Sequence, residues 1–238
     1  MNKLLILGPT GLGKTSSLWN LPPEHTGIIN CDMKALPLNG WRKNYVTVRT
    51  ADGKVDIGKS NYVETNKAAS VLKVLQIWET SPQIKTIVID TITHLITKDY
   101  MTSTIGKDYK AYQALGKSFY DMIDYIANSK KNIIVFGHAE KRINETGDMI
   151  WEMKSHGKMI TDLVPASYFT TVLMAEKLRD AEDPKKFRYV FRTQSEGFDP
   201  AKSPAWMESG VPKTALEFYE DNNVAEILDK LEAFEITA

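Results

Sequence analysis

Gly8-Pro9-Thr10-Gly11-Leu12-Gly13-Lys14-Thr15 joins an apolar run, Lys3–Leu7, to a segment of helical composition, Lys14–Leu21, which Pro22-Pro23 stops. The spacing is G-x-x-x-x-G-K-T. Its glycines let the backbone turn its N–H groups inward, where they surround phosphate oxygens. Lys14 is placed to reach the β- and γ-phosphates of ATP, and the Thr15 hydroxyl to ligate Mg²⁺. The cofactor-binding set therefore runs Gly8, Pro9, Thr10, Gly11, Leu12, Gly13, Lys14, Thr15 and Ser16. The positive end of a following helix adds to the stabilisation of the anion. A buried strand, a Gly-rich turn and a helix in this order predict an α/β fold built around a nucleoside triphosphate site.

Working outward, Lys85–Asp90 contains Thr86-Ile87-Val88-Ile89, a β-branched run too short for a helix, and it ends in an acid. At the carboxyl end of a strand beside a phosphate loop, Asp90 is placed to hold the metal and its water shell. Its other reading is a cap for the next helix, a role Thr91 could also fill. Hydrolysis also needs a group that orients or deprotonates the attacking water. The chain continues Thr91-Ile92-Thr93, without the second acid that normally follows directly in AAA+ proteins. A second short strand, Gly27–Cys31, leads to Asp32, which is either that catalytic carboxylate or a turn-former. His138 follows the β-rich run Asn132–Gly137. There it either touches the γ-phosphate and relays its presence to the following loop or is an exposed loop histidine. Lys14, Asp32, Asp90 and His138 form the candidate catalytic set.

Asn66–Thr80 and Tyr109–Asn128 carry apolar residues at helical spacing, the first with Asn66 as its N-cap. Strands alternating with helices predict a three-layer, mostly parallel sheet. Leu36–Tyr62 reads as strands or a hairpin of undefined register. Ile143–Ile150 reads as a hairpin with its turn at Thr146–Asp148. Tyr168–Leu178 and Phe187–Thr193 read as antiparallel strands joined around Asp180–Pro184. Ser195–Pro212 reads as a loop, and Val224–Phe234 as a closing helix.

The 238 residues suit one domain, 1–238, with about 195–238 as an appendage. Thirty basic residues balance thirty acidic ones, so any nucleic-acid binding must come from a local patch. One cysteine, Cys31, excludes a disulfide framework. The apolar run at Leu4–Leu7 is too short for a signal peptide, and no stretch is long enough to span a bilayer. The expected location is the cytoplasm, with no membrane partner.

Together GPTGLGKT, IVIDTITHL, IIVFGHAEK and the late DPAKSP resemble the RecA-like P-loop ATPases of bacteriophages, in particular the single-strand annealing and recombination ATPases. The likeness covers most of the chain. Ala201-Lys202-Ser203-Pro204 is its most discriminating element. The resemblance implies a RecA-type core without the extra RecA domains. It also implies ATP-dependent binding of single-stranded DNA, and rings or filaments with ATP at the subunit interface. By position, Asp32 stands where these proteins place a catalytic Glu, and its shorter side chain implies slow turnover. His138 occupies the sensor position before a DNA loop within Ala139–Pro165, and Lys202 reaches a neighbour's γ-phosphate. If phage-encoded, the protein would work in the bacterial host cytoplasm, beside a single-strand-binding or replication partner.

Lys141, Arg142, Lys154 and Lys158 surround Trp151 in that loop region. Basic groups can follow a nucleic-acid backbone while an aromatic stacks on a base. Glu140, Glu145, Asp148 and Glu152 dilute the charge, and an ordinary hairpin with Trp151 turned inward has the same composition. Two other functions fit the phosphate motif: a nucleotide-dependent switch recruiting a protein partner, and a nucleotide or small-molecule kinase. No compact arginine cluster of the kind a kinase lid needs is present in the sequence.

Overall fold

In the computed structural model, the described residues are 1–103, 109–144, 146–155, 160, 163–179, 183 and 185–237. The strands are β1 (Lys3–Leu7), β2 (Thr26–Asn30), β3 (Tyr62–Glu64), β4 (Thr86–Asp90), β5 (Asn132–Gly137), β6 (Ala139–Ile143), β7 (Met149–Met153), β8 (Thr171–Arg179), β9 (Phe187–Arg192), β10 (Ala205–Glu208), β11 (Val211–Thr214) and β12 (Tyr219–Asp221). The helices are α1 (Trp41–Asn44), α2 (Ala68–Glu79), α3 (Ile92–Ser103), α4 (Tyr109–Asn128) and α5 (Val224–Thr237).

Eight strands form one sheet in the order β12-β9-β8-β1-β5-β4-β2-β3. From β8 to β3 all pairings are parallel, while β9 and β12 add antiparallel at the C-terminal edge. The strand carrying Asp90 is thus separated from the phosphate-loop strand by β5. This is the three-layer RecA-like P-loop architecture.

The sheet is buried on both faces, which is why its strands read as continuous apolar runs. Leu5 and Leu7 point into a core shared with α2, α3 and α4, whereas Leu4 and Ile6 point into a second core with α5. Register pairs Leu7 with Gly137, Ile89 with Val135 and Asn30 with Asp90. The carboxyl ends of β1, β5, β4 and β2 therefore lie along one edge, and everything that follows them faces the same side.

Several local expectations are corrected. Lys14–Leu21 is not an α-helix but a 3-10 turn at Thr15–Leu18. Ser17 Oγ donates to the Lys14 carbonyl at 2.5 Å, while Trp19 and Leu21 N–H bond three residues back rather than four. The Leu36–Tyr62 segment is mostly irregular, with α1, a 3-10 turn and one bridge, Arg49 to Val55; β3 starts only at its end. Asn61 takes over the work of a ladder there, bonding Val46 N–H and the Pro23 and Asn44 carbonyls. Asn66 does not cap α2. The buried Asp99 carboxylate of α3 accepts from Ala68 N–H at 2.8 Å instead. Ser195–Pro212 contains β10 and the start of its partner β11, turning at Ser209-Gly210, both at positive φ as such a tight hairpin requires. The turn expected around Asp180–Pro184 lies mostly outside the described residues.

Candidate nucleotide site

The phosphate loop leaves β1 at Gly8, where an added Cβ would sit 3.0 Å from the Ala175 carbonyl of β8. At Gly13 φ is +77°, and a Cβ would press on the Asn222 amide at 3.3 Å. Only glycine fits both positions. Lys14 is buried and folds back over the loop, donating to the Gly8 and Pro9 carbonyls at 2.7 and 2.8 Å. Burial pulls its ammonium down to about 8, against the nearby Asp90 and Asp32 carboxylates.

Thr15 Oγ1 donates to Asp90 Oδ2 at 2.7 Å. Burial pushes the Asp90 carboxyl up to about 6, while the Thr15 bond and Lys14 pull the other way. Asp90 Oδ1 is buried with no hydrogen-bond partner. A hydroxyl and an orphaned carboxylate oxygen beside a phosphate cradle are the donor set that Mg²⁺ takes when phosphate and water complete its shell. Among the described residues no three His, Cys, Asp or Glu side chains gather to cage a metal. The chain supplies a partial shell, which suits an ion arriving with a nucleotide.

Asp32 follows β2, the next strand along. Its Oδ1 accepts from Thr91 Oγ1 at 3.0 Å and Thr91 N–H at 3.3 Å, and lies 2.9 Å from His94 Nδ1. Its Oδ2 has Lys34 Nζ 3.9 Å away. His138 donates its N–H to Thr93 Oγ1 at 2.9 Å, its Nδ1 is buried without a partner, and its ring lies 5.5 Å from that of His94. Lys14, Thr15, Asp32, Asp90 and His138 all line one cleft of about 600 Å³, with Thr10, Gly11, Gly13 and Ser16 from the loop. Trp19, Pro37, Tyr189 and Asn222 also line it, and sequence reasoning does not find them. No local pattern marks them, because β9 and the residue after β12 reach the cleft only through sheet pairing. His94 escapes it for a related reason. It sits on α3, whose Ile-Thr-His-Leu-Ile-Thr start favours strand by composition but is made helical by burying Ile92, Leu95 and Ile96.

Lys141, Arg142 and Trp151 fall in the β6–β7 hairpin, which springs from the end of β5 directly after His138, and Lys154 directly follows it. Lys141 and Trp151 are cross-strand partners, with Lys141 Nζ 5.1 Å from the indole centre. Trp151 is half-buried against the first core. Arg142 is held by Glu140 at 2.6 Å and lies 3.9 Å from Glu152. Lys154 bonds the His138 carbonyl through its N–H at 2.7 Å and lines an adjoining cavity of about 540 Å³. Lys158 lies outside the described residues. Lys202 is not brought to the phosphate loop of its own chain. It pairs with Val172 on β8 and its side chain is exposed.

Residues 1–204 match the family described as AAA domain. The fold is also similar to the crystal structure of the flagellar accessory protein FlaH from Methanocaldococcus jannaschii. That match has a TM-score of 0.44 and 13% identity, covering 80% of this chain and 76% of that one. A comparison with curated proteins finds no match. No helix among the described residues is long and apolar enough to cross a membrane.

Proposed function

Because the chain belongs to the AAA-domain family of P-loop ATPases, we propose that it hydrolyses ATP with Asp32 orienting the attacking water, and that it does so as an oligomer on single-stranded DNA. The observation that carries the reading is the Asp32 carboxylate facing the same cleft as Lys14, Thr15 and Asp90. Thr91 stands directly after Asp90, so β4 supplies no second acid to serve the water. The carboxylate comes instead from β2, hydrogen-bonded alongside.

In this reading the loop N–H groups and Lys14 bind the phosphates, and Lys14 exchanges its two carbonyl partners for phosphate oxygens. Thr15 and Asp90 would hold Mg²⁺, which would neutralise charge on the phosphates. Asp32 accepts a hydrogen bond from water and aims its lone pair at the γ-phosphorus. His138, whose side chain lines the cleft, registers the γ-phosphate and passes its presence to β6–β7 through the chain itself. Single-stranded DNA lies along that hairpin, with Lys141, Lys154 and Lys158 following the backbone and Trp151 stacking on a base. Lys202, exposed beside β8, serves the nucleotide of a neighbouring copy.

The test is ATP hydrolysis with and without poly-dT, for the wild type, Lys14→Ala and Lys141→Ala/Arg142→Ala. Stimulation by poly-dT that both variants lose supports the reading. Unstimulated turnover together with no poly-dT binding in ATP at low salt sinks the DNA role and leaves a nucleotide switch.

A further inference from the structure

The order of the strands gives the nucleotide cleft two ends. Asp90 and Asp32 come from β4 and β2, on one side of the phosphate-loop strand, and β8, β9 and β12 lie on its other side. With the metal at Thr15 and Asp90, a nucleotide leads away from them, over the loop, toward β9 and β12.

On that side the sheet overruns the loop. β1 ends at Leu7, level with Met174 of β8, whereas β8 continues to Arg179 with β9 still paired to it. Ala175 and Phe191 are opposite each other and belong to the second core. The next pair on the same face is Lys177 and Tyr189, because side chains alternate along a strand. That pair stands three residues past Met174, about 10 Å beyond the end of β1. Tyr189 is 40% exposed there and lines the cleft. The Lys177 ammonium bridges its ring to that of Phe187, at 5.5 and 3.9 Å from the two ring centres.

Asn222 adds a polar group at this end. It follows β12, lines the cleft and packs against the loop, since a Cβ on Gly13 would lie 3.3 Å from both Nδ2 and Oδ1. Its Nδ2 is buried with no hydrogen-bond partner among the described residues. An unpaired buried donor is costly, and a ligand that brings an acceptor removes the cost. A neutral ring and an amide donor do little for a phosphate. They match a nucleoside, which offers a base to stack and acceptors on its sugar and base edge.

We propose that Tyr189 and Asn222 form the nucleoside subsite of the cleft, with the base stacked on the Tyr189 ring and a nucleoside acceptor taken by Asn222 Nδ2. The inference rests on a nucleotide occupying the cleft with its phosphates on Gly8–Thr15, and requires neither the role of Asp32 nor DNA. Trp19, the other exposed aromatic in the cleft, directly follows the Thr15–Leu18 turn and is the rival position for the base.

Calorimetric titration of the full chain with ADP and with pyrophosphate, both with Mg²⁺, separates nucleoside binding from phosphate binding. Wild type binds ADP at least about tenfold more tightly than pyrophosphate. Tyr189→Ala weakens ADP on the order of ten- to a hundredfold and leaves pyrophosphate within about twofold. Tyr189→Phe, which keeps the ring, stays within about threefold of wild type for ADP. Asn222→Ala weakens ADP about two- to tenfold, again with little change for pyrophosphate. Unchanged ADP affinity in Tyr189→Ala, an equal loss for both ligands, or equal wild-type affinities for the two overturns the proposal. So does an ADP-selective loss confined to Trp19→Ala, which would place the base there. Wild type that binds neither ligand refutes the nucleotide reading itself, and this inference with it.

Discussion

Replacing Gly27 by alanine places a methyl group 2.6 Å from Trp78 Cζ3, 2.7 Å from Cε3 and 3.0 Å from Cη2. Gly27 lies in β2, the strand that delivers Asp32, and the Trp78 ring from α2 lies against it. The indole cannot simply swing away. It is fully buried, and its Nε1 donates to the Ile57 carbonyl at 3.0 Å. Overpacking of this kind costs about 1–3 kcal/mol, and losing the indole hydrogen bond about 1 more, so Gly27→Ala should lose roughly 2–4 kcal/mol. With a urea slope of about 3 kcal/mol/M, the unfolding midpoint should fall by about 1 M. The cause is isolated by a double-mutant cycle. Trp78→Phe alone costs about 1–3 kcal/mol of lost burial. It also clears part of the space the new methyl needs, so the pair should be more stable than the sum by at least about 1 kcal/mol. A Gly27→Ala midpoint within about 0.2 M of wild type, or additive losses in the pair, would refute the reasoning.

Three further outcomes are expected. Arg192→Met strands a buried charge, because the guanidinium and Asp199 are each 3% exposed and meet at 3.0 Å, with Glu176 at 2.7 Å; chemical unfolding should show a loss of about 3–5 kcal/mol. Burial, helped by Lys14 and His94, holds the His138 imidazole below its ordinary value against Asp32. The unfolded chain takes up that proton first, so the contribution to stability is full above about pH 6.5 and is lost as pH falls toward the folded-state value. Wild type should therefore lose stability relative to His138→Gln over that window, by up to about 1.4 kcal/mol per pH unit, and parallel unfolding profiles would contradict a buried neutral ring. If Trp151 stacks on a base, Trp151→Ala should weaken poly-dT binding by about 1–3 kcal/mol in fluorescence anisotropy, and unchanged affinity would return Trp151 to the core.

Features carried by neighbours in the chain are legible in the sequence. The phosphate loop is contiguous, and each conformational demand falls on a glycine, so its residues lie where their spacing says. Strands β1, β4 and β5 are readable because burial on both faces leaves an unbroken apolar run. Less legible are elements whose local preference loses to packing. Thr15–Leu18 tightens to a 3-10 turn around Ser17, and the α2 cap is supplied by Asp99 from a different helix.

What the chain determines by itself, then, is the phosphate cradle and the acid that ends the fourth strand. Which side chains share the cleft with that cradle is decided only by the sheet. Thr91 meets Asp32 across 59 residues because β2 hydrogen-bonds to β4 in register. His138 reaches the same edge because β5 inserts between β4 and β1. Those pairings are chosen by burial of two apolar faces and by the satisfaction of distant backbone groups, which no local propensity encodes.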